Sequence, residues 1–157
     1  MSIRDDIMNA ASERRQLRYR LDPPPDGATT TDCSLLVRDS VRAAGAGDLP
    51  RTAEQQRQAT ILVPWQQAKT GDLIFFENTY DAAGPAGPDG KIASHVGFSM
   101  GAGTQRMLDA RERNGDDVGI TDMTAACDEA DLRMTGVDLS LSTGPIWNTD
   151  RSITVVT

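Results

Sequence analysis

Hydrophobic residues in the first part of the chain recur at helical spacing. This spacing predicts a helix over residues 3–18 and a second helix in the segment CSLLVRDSVRAAG, which begins at Cys33. A third, short helix is predicted after Thr52, because Gln55 stands three residues later and completes a capping box. Residues 22–32, DPPPDGATTTD, are expected to form a loop, since their prolines cannot continue a helix.

From residue 70 onward the hydrophobic pattern becomes that of strands. Short apolar or alternating runs predict strands at 72–77, 94–100, 106–110, 118–120, 137–141 and 153–156. A Gly- and Pro-rich loop is predicted at 79–91, and a weak helix at 123–131. Helices followed by a run of strands indicate an α+β fold rather than alternating strand and helix units.

Length and charge narrow the class of protein. A chain of 157 residues predicts a single domain over 1–157. The formal net charge of −7 argues against nucleic-acid binding, which depends on Lys and Arg side chains that neutralise phosphates. No apolar run is long enough to predict a membrane span, and the first residues lack the apolar segment of a secretory signal.

The scarcity of histidine and cysteine limits the chemistry. The chain has one histidine, His95, and two cysteines, Cys33 and Cys127. One imidazole excludes zinc sites of the HExxH type, and two distant cysteines make neither a zinc ribbon nor a disulfide framework. A carboxylate-rich metal site stays compatible with the sequence. His95 is the one side chain whose ordinary pKa suits acid–base catalysis near neutral pH.

Cys33 lies in the first turn of its predicted helix, which Asp32 or Thr31 is placed to cap. The unpaired amides and the dipole at a helix N-terminus favour the thiolate, which is the nucleophilic form, and these amides can also stabilise an oxyanion. The alternative is that Cys33 is a small buried hydrophobic residue, as Cys127 is expected to be. A disulfide between the two cysteines would remove the nucleophile.

A carboxylate is predicted beside His95. On an alternating strand, His95 shares a small polar face with Gly97 and Ser99. A hairpin loop at 101–103 would place His95 directly opposite Asp109 on the next strand. Asp109 would then orient the imidazole, as the third member of a catalytic triad does. The alternative is that Asp109 only ends its strand, and a register slip of one residue would separate the two side chains.

Several short blocks resemble the NlpC/P60 family of cell-wall cysteine peptidases and follow the family's order. The blocks are Tyr19, Thr31-Asp32-Cys33-Ser34, Leu49-Pro50-Arg51-Thr52-Ala53 with Gln56, Gly71-Asp72-Leu73-Ile74-Phe75-Phe76 and Ser94-His95-Val96-Gly97-Phe98. The resemblance implies a papain-like α+β fold, in which the nucleophile helix packs on a small antiparallel sheet. It also implies a peptidoglycan hydrolase that needs no metal or organic cofactor and cuts the stem peptide, most often between D-glutamate and the diamino acid.

The resemblance assigns catalytic roles residue by residue. It makes Cys33 the nucleophile, which forms a thioester, and His95 the general base. Asp109 matches the third, polar family residue, although it lies slightly further along the chain than is usual. Glu112 is the fallback for this third role.

The resemblance also implies contacts to the substrate. Tyr19, Asp32 and Ser34 match family residues that contact the stem peptide and its free amine. Leu35 stands where the family usually has glycine, and the loop at 79–91 is longer than usual. These departures bear on the cleft walls and therefore on which bond is cut.

The same fold leaves other functions open. An N-acetylmuramoyl-L-alanine amidase or an acyltransferase would use the same thioester on another bond, and a non-catalytic wall-recognition module would keep only the fold. The substrate lies outside the membrane while no export signal is visible. Delivery by a phage particle, as for an endolysin or a tail-associated lysin, or by an export machinery is therefore expected; a signal already removed would leave the same sequence.

Overall fold

The computed structural model describes residues 2–21, 29–63, 69–77, 93–101, 106–111, 117–122 and 133–138. Helices dominate the first part and strands the second, so the predicted α+β class is confirmed. The elements in chain order are α1 (Ile3–Ser12), β1 (Arg18–Tyr19), β2 (Thr30–Thr31), α2 (Cys33–Ala43), α3 (Ala53–Gln58), β3 (Ile61–Val63), β4 (Leu73–Glu77), β5 (Ala93–Ser99), β6 (Arg106–Ala110), β7 (Val118–Asp122) and β8 (Arg133–Asp138).

Helix α1 ends earlier than the hydrophobic spacing predicts. Its last residue is Ser12, so the predicted helix over 3–18 is wrong beyond that point. Leu17 continues the helical spacing but is buried in a separate hydrophobic cluster with Leu36 and Ala110. The helix ends before Leu17 because the next residues, Arg18 and Tyr19, form β1, which pairs in parallel with β2.

The other two helices begin where their capping residues predict. Asp32 caps α2, and its carboxylate accepts a hydrogen bond from the Leu35 amide at 2.8 Å. Gly45, with a φ of +70°, follows the end of this helix. Thr52 and Gln55 form the predicted capping box of α3. Both helix starts therefore depend on contacts that are local in the sequence.

Strands β3 to β8 form an antiparallel sheet in the order β3-β8-β4-β5-β6-β7. β8 is the last of the described strands in chain order but lies between β3 and β4. It spans Arg133–Asp138, whereas its apolar run predicts a strand at 137–141. Because β8 forms backbone hydrogen bonds on both sides, its two partner strands set its bounds rather than its own hydrophobicity.

The hairpin of β5 and β6 has a different register from the predicted one. Gly97, not His95, pairs with Asp109, and the Met100 amide donates to the Arg106 carbonyl at 2.9 Å. The loop is therefore longer than the predicted one at 101–103, and the direct His95–Asp109 pairing is wrong. The displacement is two residues, which keeps both side chains on the same face of the sheet.

The main hydrophobic cluster lies between the helices and the sheet. Helices α2 and α3 pack on β5, and α2 also reaches β6. The cluster includes Ile7, Cys33, Val37, Val41, Leu73, Phe75, Val96, Phe98 and Leu108. The predicted packing of the helix that begins at Cys33 on a small antiparallel sheet is confirmed. Because Cys33 belongs to the cluster, the packing that holds α2 on the sheet also positions the start of this helix.

Three predicted segments lie outside the described residues: the loop at 79–91, the helix at 123–131 and the strand at 153–156. The predicted loop at 22–32 is described from residue 29 onward, where Thr30–Thr31 form a short strand instead. Within the described ranges, no helix is both long and apolar enough to cross a membrane.

Candidate active site

Cys33 is the first residue of α2 and directly follows the capping residue Asp32. Its side chain is a free thiol and is 7% exposed. The Asp32 carboxylate accepts a hydrogen bond of 2.8 Å from the Leu35 amide, and the Asp32 carbonyl accepts one of 3.0 Å from the Leu36 amide. The amides of Cys33 and Ser34 lie in the first turn of α2, before the Leu35 and Leu36 amides that Asp32 binds, at the positive end of the helix dipole. An anion that forms beside the sulfur therefore meets helix N–H donors.

His95 lies on β5, next to the point where the pairing of β4 and β5 changes register. Phe76 of β4 is its direct cross-strand partner, with ring centroids 5.9 Å apart. Nε2 of His95 lies 2.6 Å from Oδ2 of Asp109. The Cys33 side chain also acts electrostatically on the imidazole. Since Nε2 faces the carboxylate, Nδ1 is the ring nitrogen through which we expect His95 to exchange a proton with Cys33.

The surroundings of His95 favour its charged form. Burial by itself lowers the pKa of His95, but the negative charge of Cys33 and the hydrogen bonds to Asp109 and Cys33 outweigh burial and raise the pKa from 6.5 to about 10. His95 is therefore an imidazolium at neutral pH. An imidazolium beside the Cys33 sulfur places a proton donor next to the candidate nucleophile.

Asp109 is fully buried on β6. Its Oδ2 faces His95 at 2.6 Å, and its Oδ1 accepts a hydrogen bond of 2.6 Å from the Thr121 hydroxyl. Gly97 lies directly opposite on β5, and a Cβ there would come within 2.9 Å of the Asp109 Cβ and 3.0 Å of the Leu108 carbonyl oxygen. The absent side chain at Gly97 is what leaves room for Asp109 to reach diagonally to His95.

The two predicted substrate contacts that flank Cys33 are bound to each other and to an arginine. Arg51 pairs with the Asp32 carboxylate at 2.7 Å and donates to the Ser34 hydroxyl at 2.8 Å. The Ser34 hydroxyl in turn donates to Asp32 at 3.3 Å. Asp32 and Ser34 are 4% and 6% exposed, whereas the Arg51 side chain is 33% exposed. A ligand that approaches this cluster from solvent therefore meets Arg51 first.

Tyr19, the third predicted substrate contact, lies half-buried on β1. It packs on a small hydrophobic cluster that includes Ala110, the residue after Asp109. The Tyr19 amide donates to Oδ2 of Asp117 at 2.9 Å, and the same oxygen accepts from Nε of Arg18 at 3.0 Å. Buried Asp117 thereby ties β1 to the start of β7 and holds Tyr19 close to the end of β6.

Sequence reasoning assigns no role to Thr121, Arg51 or Asp117, although the structure gives each of them contacts to predicted site residues. Arg51 falls in a block that carries the family resemblance, which is the signal that points to it. Thr121 and Asp117 carry no such signal. Thr121 meets Asp109 through the pairing of β6 with β7, and Asp117 meets Tyr19 from 98 positions further along the chain. Glu112, the fallback third residue, and Cys127 lie outside the described residues.

A free thiol at a helix N-terminus, an imidazole on the adjoining sheet and a buried carboxylate behind it define a papain-like Cys–His–Asp arrangement. The NlpC/P60 family model matches residues 18–134, a range that includes all three groups. The chain belongs to the NlpC/P60 family. The predicted resemblance is confirmed.

Relatives and solved structures agree with this assignment. The bifunctional muramidase/DL-endopeptidase CwlT of Bacillus subtilis is 41% identical over 92 residues, which cover 59% of this chain and 23% of CwlT. A lipoprotein-like NLP/P60 protein of Staphylococcus aureus matches with a TM-score of 0.66 and 27% identity, over 85% of this chain and 40% of that one. The chain spans about a quarter or less of the length of the curated relatives it matches.

One solved structure with the same fold differs in chemistry. RipD of Mycobacterium tuberculosis is described as a non-catalytic NlpC/p60 domain protein adapted to a peptidoglycan-binding function. It matches with a TM-score of 0.57 at 23% identity, over 88% of this chain and 98% of RipD. The fold alone therefore does not establish catalysis, and the argument for it depends on the site residues.

Proposed function

We propose that the protein is a cysteine endopeptidase that cleaves the stem peptide of peptidoglycan between D-glutamate and the diamino acid, through a thioester on Cys33. The observation that carries this proposal is the 2.6 Å hydrogen bond between His95 and the buried Asp109, together with the electrostatic effect of Cys33 on the same imidazole. The similarity to a DL-endopeptidase supports the choice of bond. A module that only binds the wall has no use for a buried thiol paired with an imidazolium.

The first half of the reaction forms the thioester. The thiolate of Cys33 attacks the carbonyl carbon, a C–S bond forms, and the carbonyl electron pair moves onto the oxygen. The amides of Cys33 and Ser34 at the start of α2 stabilise this oxyanion. His95 then gives its Nδ1 proton to the departing amine of the diamino acid, and the C–N bond breaks.

The second half of the reaction hydrolyses the thioester. His95, now neutral, takes a proton from a water molecule as the water oxygen attacks the thioester carbonyl. The C–S bond breaks, the D-glutamate carboxyl group is released, and the thiolate–imidazolium pair is restored. Asp109 orients the imidazole and stabilises its charged form throughout. Because His95 gives up one proton in the first half and regains one from water in the second, each turnover returns the site to its starting protonation state.

The stem peptide is proposed to contact Tyr19, Asp32 and Ser34. Since Arg51 is the most exposed member of the cluster around Asp32, it belongs to the same proposed binding surface. Ser34→Ala removes a hydroxyl that contacts both Arg51 and Asp32 and leaves the Cys–His–Asp groups intact. We expect this variant to raise KM for a soluble stem peptide with little change in kcat.

Digestion of purified peptidoglycan, followed by mass spectrometry of the released fragments, tests the proposal. A new free amine on the diamino acid identifies the endopeptidase, whereas a free L-alanine amine identifies an amidase. A product that carries an added acceptor group identifies an acyltransferase. Cys33→Ala should abolish release while the protein stays folded, and Cys127→Ala is the matched control that should retain activity.

A wall-binding role without catalysis is the remaining alternative. It predicts that the wild-type protein sediments with insoluble peptidoglycan but releases nothing, and that Cys33→Ala sediments equally well. It also predicts slow labelling of Cys33 by iodoacetamide at neutral pH, at the rate of an ordinary thiol. Delivery to the wall by a phage particle or an export machinery stays a prediction from the sequence.

A further inference from the structure

Thr121 on β7 contacts the carboxylate that orients His95. Its hydroxyl donates a hydrogen bond of 2.6 Å to Oδ1 of Asp109, and the residue is 2% exposed. We propose that Thr121 is a positioning residue, which holds the Asp109 carboxylate so that Oδ2 faces the imidazole. The catalytic consequence of this role rests on the proposed function, whereas its effect on His95 does not.

The pairing of the strands explains why Asp109 needs such a contact. Its directly opposite neighbours are Gly97 on β5 and Gly119 on β7, so neither offers a side chain that packs against the carboxylate. The terminal torsion of an aspartate is broad, and packing or hydrogen bonds must select one orientation. The carboxylate reaches diagonally to His95 on one side and to Thr121 on the other.

The Thr121 hydrogen bond also has an electrostatic effect. A donor to a buried carboxylate favours its ionised form, and short O–H···O⁻ contacts are among the stronger hydrogen bonds in proteins. Among the described residues, the titratable groups that act on His95 are Cys33 and Asp109. By keeping Oδ2 directed at the imidazole, the Thr121 hydroxyl holds the Asp109 charge where it stabilises the imidazolium, and so supports the protonated state of His95 from two strands away.

Two substitutions separate the hydroxyl from the packing of the side chain. Thr121→Val keeps the β-branched shape but removes the donor, and Thr121→Ser keeps the donor but removes the methyl group. If the hydrogen bond is what positions Asp109, the valine variant should be impaired and the serine variant should behave like wild type. If Thr121 only fills space, the serine variant should be impaired and the valine variant should behave like wild type.

The single histidine of the chain makes the test direct. In tag-free protein labelled with ¹⁵N-histidine, all imidazole signals belong to His95, and their titration gives its pKa without assignment or substrate. We expect the pKa of His95 to fall in Thr121→Val and to stay near the wild-type value in Thr121→Ser. Equal values in wild type and a folded Thr121→Val, or an equal fall in both variants, would overturn the proposal. Thr121→Ala replaces the valine variant if the latter does not fold.

A kinetic readout addresses the catalytic consequence. With stem peptide as substrate, Thr121→Val should lower kcat about tenfold or more with KM unchanged, since a hydrogen bond to a charged group is lost. The alkaline limb of its pH profile should move to lower pH, and Thr121→Ser should restore both. If wild-type protein cleaves no peptidoglycan, the proposed function fails, while the titration of His95 still decides the role of Thr121.

Discussion

Replacing Cys33 with alanine should lower the pKa of His95. The raised value of about 10 depends on the negative charge of Cys33 and on hydrogen bonds to Cys33 and Asp109, which together outweigh the opposing effect of burial. Cys33→Ala removes the charge and one of the two hydrogen bonds. Burial and the 2.6 Å contact with Asp109 remain in the variant.

The size of the expected change follows from the distances that ion pairs adopt. Two opposite unit charges about 4 Å apart attract each other by roughly 4 kcal/mol at an effective dielectric constant near 20. One pH unit corresponds to about 1.4 kcal/mol, so full loss of this attraction is worth about three pH units. Water that enters the space left by the sulfur will screen part of the effect. We therefore expect the pKa of His95 to fall by about one to three pH units.

Nuclear magnetic resonance of ¹⁵N-histidine in tag-free protein measures this value directly, because His95 is the only histidine. Wild type, Cys33→Ala and the control Cys127→Ala should be titrated from pH 5 to 11, with circular dichroism to verify that each is folded. A wild-type pKa near the ordinary value, or an unchanged pKa in Cys33→Ala, would show that no thiolate–imidazolium pair exists in this site.

Three further predictions concern stability. Gly97→Ala brings a Cβ within 2.9 Å of the Asp109 Cβ and should lower the free energy of unfolding in urea by about 1–3 kcal/mol and reduce activity. The control Gly45→Ala meets nothing within 4 Å but has a φ of +70°, so it should cost about 1 kcal/mol and leave activity intact. Glu54→Gln removes the buried carboxylate that pairs with Arg57 at 2.7 Å and should cost about 1–3 kcal/mol. An unchanged urea midpoint would contradict a stabilising ion pair at this position. The pKa of His95 in the folded protein lies above its ordinary value of 6.5, so protonated His95 should contribute its full stabilisation below pH 6.5 and lose it as the pH rises through about 10. Urea midpoints that do not fall between pH 6.5 and about 10 would contradict this prediction.

The sequence by itself determined the features that depend on neighbours in the chain. Asp32 caps α2 and the pair Thr52 and Gln55 caps α3, because capping hydrogen bonds join residues three positions apart. Alternation along the strands placed the polar face of β5 correctly. The presence of one histidine left a single candidate for acid–base catalysis, and the position of Cys33 at a helix start identified the candidate nucleophile.

The tertiary structure alone decided how these residues meet. The hairpin of β5 and β6 pairs Gly97 rather than His95 with Asp109, and the predicted contact survives only because a shift of two residues keeps the same face. Thr121 reaches Asp109 from a third strand, and Arg51 reaches Asp32 from beyond the end of α2. No local pattern encodes these pairings, because backbone ladders and buried charges are matched between segments that lie far apart in the chain.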